Sequence, residues 1–183
     1  MVAPNTQLSI IDVKTNEKLG FNKVGELCVK TSAVNYGYFK NPVETMKVFD
    51  DEGWFHSGDE AYYDENGEIV IVGRMKDIIR YRDIDIHPVH VEDLLLALPD
   101  VAEAAVIGVP HEIFIERPVA FVKITPGSTV TKEAISKVAV ELEYSDILED
   151  SIEFIDQMPR NTNGKIDKKV LKVLAKKYYE SSL

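Results

Sequence analysis

The chain has 183 residues, 45% hydrophobic and 28% charged, with 31 acidic against 21 basic side chains and a formal net charge of −10. That length supports one domain or two small ones around a packed core, and the negative field repels phosphate backbones, which excludes a general nucleic-acid role. Cys28 is the single cysteine, so neither a disulfide framework nor a cysteine-cluster metal site can be built; His56, His87, His90 and His111 show no zinc-type spacing, and no metal ligands are assigned.

In chain order, "QLSIID" (7–12) and "GELCVK" (25–30) alternate apolar and polar residues around the turn-rich "KTNEKLG" (14–20), which predicts a hairpin or small barrel. Asn41-Pro42-Val43-Glu44 supplies an N-cap, a proline at the first helical position and a capping-box glutamate, so a short helix follows to about Val48. "AYYDENGEIVIVG" (61–73) reads as a hairpin in which Asn66-Gly67 suits a type I′ turn.

After "GRMKD" (73–77) strands and helices alternate. "VHVEDLLLALPD" (89–100) reads as a helix stopped near Pro99, while "VAEAAVIGVP" (101–110) and "RPVAFVKITPG" (117–127) contain strands. Thr131 caps a helix whose buried stripe is Ile135, Val138, Ala139 and Leu142. "SIEFID" (151–156) is a short strand, and Lys168–Lys177 closes the chain as a helix with terminal lysines that suit its dipole. The opening β segment has too few strands to close its own core, whereas the part from about Asp77 can stand alone. No run approaches a membrane span and "MVAPNTQLSI" lacks the form of a secretory signal, so a soluble intracellular protein is expected. Ser181-Ser182-Leu183 is similar to a peroxisomal address without its basic residue, which leaves a cytoplasmic or peroxisomal setting and a frayed terminus as readings.

Three stretches carry chemistry together: "GWFHSGDEAYYDENGEIVIVGRMKDIIRYR" (53–82), "VEDLLLALPDVAEAAVIGVP" (91–110) and "PRNTNGKIDKKVL" (159–171). In order and spacing they resemble the C-terminal third of the adenylate-forming (AMP-binding) superfamily, nearest to its luciferase-like and 4-coumarate-CoA-ligase-like acyl-CoA synthetases. The resemblance implies an α+β fold. Residues 1–75 would be a partial β-barrel remnant, the C-terminal part of a large domain, and 76–183 a small, mobile α+β lid domain. It also implies ATP and Mg²⁺ as partners of a longer parent, with a fatty or aromatic carboxylic acid as substrate.

Such enzymes let a carboxylate attack the α-phosphorus of ATP, so the barrier is charge build-up at that centre and a movable cation is useful. By resemblance Lys165 is that catalytic cation; its plain reading is an exposed lysine beside the turn glycine Gly164. Asp59 resembles the aspartate that accepts both ribose hydroxyls, and its plain reading is a turn aspartate. Arg74 resembles a nucleotide-contacting arginine, or is a surface ion-pair residue. Lys76 falls at the family's hinge, and Arg80 matches the lysine of the second catalytic face.

Several positions depart from the family. Nothing in the sequence resembles its Ser/Thr/Gly-rich phosphate loop or its adenine- and magnesium-binding stretch, so the isolated chain is expected to be inactive. Asp83 and Ile115 stand where the family has glycines, with Glu116 and Pro118 retained, and "EYSDILEDS" (143–151) is acidic where the family is basic. These changes weigh against CoA as the acceptor. The alternative readings are a stand-alone noncatalytic module that docks onto a protein partner through its β edge, and a truncated pseudoenzyme.

Overall fold

The computed structural model describes residues 3–140 and 151–180. Two compact units divide the chain, Met1–Lys76 and Asp77–Leu183. The expected side-chain stripe beyond Ile135, the acidic stretch 143–150 and the C-terminal Ser-Ser-Leu lie outside the described side chains.

In the first unit, β1 (Thr6–Ile11), β2 (Gly25–Thr31), β3 (Phe55–Tyr63) and β4 (Ile69–Arg74) form an antiparallel sheet in that order, with α1 (Pro42–Val48) between β2 and β3. Among the described residues the sheet stays open, so the hairpin reading holds and no closed barrel is formed. Ile11, Cys28 and Trp54 make its buried apolar cluster, while Tyr36, Phe39 and Met46 point to solvent.

Two turns differ in detail from expectation. The Asn41 side chain caps Glu44 N–H at 3.2 Å, but Glu44 pairs with Lys47 at 2.6 Å instead of reaching back to the cap. Only half of the capping box forms, because Asn41 N–H already donates to the Tyr38 carbonyl at 3.1 Å. At the β3–β4 connection Gly67 has φ +78° whereas Asn66 is not left-handed, so the turn is not type I′. The Asp64 carboxylate decides this by accepting the N–H groups of Asn66 and Glu68 at 2.9 and 2.8 Å.

The second unit begins with a hairpin that the sequence reading left unassigned, β5 (Ile79–Tyr81) and β6 (Ile84–Ile86). Then follow α2 (Pro88–Leu96), β7 (Val101–His111), β8 (Ile115–Ile124), α3 (Lys132–Val140), β9 (Ile152–Phe154) and α4 (Lys168–Glu180). The sheet runs β6-β5-β8-β7 with antiparallel pairing, and β9 joins β8 in parallel. A parallel neighbour needs a long crossover, and the segment containing α3 supplies it.

Both faces of the β7–β8 pair are buried. Val106 and Val122 pack with Val91, Leu95 and Ile135 from α2 and α3, whereas Ile107, Val119 and Phe121 pack with Leu171 and Ala175 from α4. Alternate side chains thus enter different cores, which is why "AAVIGV" reads as a continuous apolar run with no polar face.

Candidate functional site

In the first unit, cross-strand register brings Asp59 on β3 opposite Arg74 at the end of β4. Arg74 Nε lies 2.7 Å from Asp59 Oδ1, and Arg74 Nη1 donates to the Ser57 carbonyl at 2.8 Å. Gly58 adopts φ +68°, a region open to glycine, and its N–H donates to Glu26 Oε1 at 3.0 Å. Asp59 N–H donates to Ser57 Oγ at 3.0 Å. The segment is therefore held from both sides. Among the described residues Asp59 Oδ2 accepts no bond, so the carboxylate keeps acceptor capacity while Arg74 aligns it.

Beneath this segment the register sets Cys28 opposite His56. His56 Nδ1 lies 2.9 Å from Glu26 Oε2 and 3.6 Å from Cys28 Sγ. Burial, followed by the Glu26 and Asp50 carboxylates, pushes the Cys28 thiol up to about 12.

In the second unit, Lys165 sits on a turn braced at several points. Asn161 Oδ1 accepts the N–H groups of Asn163 and Lys165 at 2.9 and 3.0 Å. Asn161 N–H donates to the Lys165 carbonyl at 2.8 Å, and Gly164, at φ +78°, closes the bend. Arg160 Nη1 donates to the Gly164 carbonyl at 2.9 Å, and Nη2 pairs with Glu103 on β7. Glu103 also pairs with Lys123 at 2.9 Å, and these three residues line a cleft of about 480 Å³ together with Gln157, Met158 and Pro159. The Lys165 backbone is fixed, its side chain is exposed, and among the described residues its ammonium has no partner.

Lys76 lies in the 3₁₀ turn Met75–Asp77, exposed, as the last residue of the first unit. Arg80 is exposed on β5, and its N–H donates to Glu116 Oε2 at 3.0 Å. Glu116 thus secures the Arg80 backbone from β8. Its neighbour Ile115 has φ +68°, a conformation that a β-branched residue rarely adopts and glycine adopts freely. Arg82, at φ +53°, places its guanidinium over the rings of Phe114 and Tyr81, 4.7 and 5.3 Å from their centroids.

Residues 90–165 match the AMP-binding enzyme C-terminal domain. The chain belongs to the adenylate-forming (AMP-binding) superfamily and corresponds to the C-terminal part of its members. It is 38% identical over 177 residues to luciferin 4-monooxygenase of Luciola mingrelica, covering 96% of this chain and 32% of that protein. To 4-coumarate–CoA ligase 1 of Oryza sativa subsp. japonica it is 40% identical over 173 residues, covering 93% of this chain and 30% of that one. ATP-bound MatB from Rhodopseudomonas palustris superposes with a TM-score of 0.86 at 32% identity, over 96% of this chain and 35% of that one. o-Succinylbenzoate CoA synthetase (MenE) from Bacillus subtilis, in complex with its acyl-adenylate intermediate OSB-AMP, gives 0.81 at 26% identity, over 92% and 34%. The chain spans about a third of the length of the curated relatives it matches.

Sequence reading singled out Asp59, Arg74, Lys76, Arg80 and Lys165 but gave no role to the residues that hold them. Asn161 carries a local signal, an asparagine two residues before Asn163 in a Gly-containing turn. Glu103 and Glu26 carry none, because each acts on a segment distant in sequence; Glu116 stands out only as a retained family position, and Arg160 reaches both the nearby Gly164 carbonyl and the distant Glu103.

Proposed function

We propose that this chain serves an ATP-dependent enzyme that converts a fatty or aromatic carboxylic acid to its acyl-adenylate. An acid oxygen attacks the α-phosphorus, the bond to the pyrophosphate oxygen breaks, and acyl-adenylate and pyrophosphate leave. Asp59 accepts the ribose hydroxyls while Arg74 holds its carboxylate in line, and Lys165 offers its ammonium to the α-phosphate and substrate carboxylate. Lys76 is the hinge, and Arg80 belongs to the face used after adenylation. Mg²⁺ travels with the nucleotide phosphates, and none of these residues is assigned to it.

The observation that carries this reading is the exposed Lys165 ammonium, unpartnered among the described residues, on a turn pinned by Asn161 and Arg160. A cation carried on a fixed backbone and free of a competing partner loses no ion pair when charge develops beside it. Thioester formation with CoA is not part of the proposal, since Asp83 and Ile115 replace two glycines of the family pattern.

A chimera tests it, with the N-terminal region of the Rhodopseudomonas palustris MatB joined to these 183 residues and ATP–pyrophosphate exchange measured across a set of acids. Exchange that falls by about 10²-fold or more in Lys165→Ala is the expected result. Exchange that is indifferent to Lys165 overturns the assignment. The isolated chain is expected to show no exchange.

A further inference from the structure

We propose that Glu26, Cys28 and His56 form a three-ligand site for a divalent transition metal of the Zn²⁺ class, independent of the nucleotide chemistry proposed above. The three ligand atoms, one carboxylate oxygen, Cys28 Sγ and one imidazole nitrogen, all lie within 4.8 Å of one another. Tetrahedral zinc with bonds of about 2.0–2.3 Å sets its ligand atoms about 3.3–3.6 Å apart. The Sγ–Nδ1 separation of 3.6 Å already has that value. The Oε2–Nδ1 separation of 2.9 Å needs to open by a few tenths of an ångström, within reach of a glutamate rotamer.

The surroundings support the same ligand. His56 turns its other nitrogen, Nε2, toward Asp50 Oδ2 at 3.7 Å, a few tenths of an ångström beyond hydrogen-bond distance; closing that gap would give the carboxylate–imidazole contact that fixes the ring of a metal-bound histidine. Glu26 is buried, and among the described residues no lysine or arginine pairs with it, so a cation would balance its charge and that of Asp50. The site is closed on the Cys28 side and partly open on the His56 side, where the ring is 22% exposed, which leaves a fourth position for water. Thiolate with imidazole selects Zn²⁺ or Co²⁺ over Mg²⁺ or Ca²⁺. On binding, the thiol proton leaves to solvent and Sγ bonds the metal. Because Glu26 Oε1 also holds Gly58 N–H, the ion would brace the segment that carries Asp59.

The test is Co²⁺ titration of the full chain followed by absorbance. Cys28 is the single cysteine, so a thiolate-to-cobalt charge-transfer band reports this site alone. The expected result is a band saturating at one equivalent, lost in Cys28→Ser, and an affinity about tenfold or more weaker in Asp50→Asn. Absence of the band in the unmodified chain, or its persistence in His56→Ala, overturns the proposal; the first outcome needs no variant to fold.

Discussion

The Lys168 ammonium and the Glu92 carboxylate meet at 2.8 Å, tying the first residue of α4 to the middle of α2 across β7. The same glutamate oxygen accepts Val106 N–H at 2.8 Å, and Lys168 approaches the Val106 carbonyl at 3.4 Å. Among the described residues β7 ends the sheet, so this pair does for Val106 what a further strand would do, and it blocks the edge. It also joins the helix that follows Lys165 to the sheet.

Glu92→Ala removes an acceptor from a fully buried strand residue. The expected loss is about 1–3 kcal/mol of unfolding free energy, read from urea denaturation. Glu92→Gln keeps the amide acceptor and should lose less than Glu92→Ala. Equal losses would mean that the ion pair, which is partly solvent-screened, carries the effect.

Ile115→Gly should stabilise the second unit. A left-handed conformation costs an L side chain about 1–2 kcal/mol, while glycine adds about 0.5–1 kcal/mol of unfolded-state entropy. Ile115 is exposed, so little apolar burial is lost. The net expectation is about 0.5–1 kcal/mol and a rise in melting temperature of a few degrees, measured by calorimetry.

Asn161→Ala should free the Lys165 turn without unfolding the unit. Its side chain holds the N–H groups of residues 163 and 165, both on an exposed loop. Amide hydrogen exchange at Lys165 should quicken by about fivefold, corresponding to about 1 kcal/mol of lost local hydrogen bonding, while the β7 amides stay protected. In the chimera the same change should lower the exchange rate less than Lys165→Ala does.

Cys28 sets a pH dependence in metal-free protein. Its folded value of about 12 lies above the unfolded thiol value of about 8.5–9. The folded state therefore keeps its proton where the unfolded state loses it, and the contribution, complete below about pH 8.5, declines as pH rises toward 12. Relative to Cys28→Ser, the unmodified chain should lose about 2–2.5 kcal/mol between about pH 8 and pH 10.5 in paired denaturation curves.

Much of the fold was legible because local rules agreed with the final packing. Alternation in 7–12 and 25–30 marked β1 and β2, Asn41-Pro42 opened α1, and Thr131 capped α3, with Ala134 N–H donating to its hydroxyl at 3.2 Å. The hairpin β5–β6 escaped notice because two three-residue strands give too short a pattern for periodicity. Its turn also uses Arg82, not glycine or asparagine, at positive φ. At Asn66-Gly67 the local signal was overridden by a neighbouring carboxylate, Asp64, which the dipeptide rule leaves out.

The sequence by itself determined the α+β class, the order of most elements and the exposed position of Lys165 beside Gly164, since each rests on residues a few places apart. Tertiary structure decided what holds those residues. Asp59 faces Arg74 because a bulge between Glu60 and Ala61 sets the β3–β4 register, and Cys28 meets His56 because β2 and β3 align them. Lys168 reaches Glu92 across 76 positions of chain. A one-residue slip in either strand pairing would send one member of the Asp59–Arg74 or Cys28–His56 pair to the opposite face of the sheet. Their proximity is fixed by strand pairing and by burial of both β7–β8 faces, physical quantities that no local window of sequence contains.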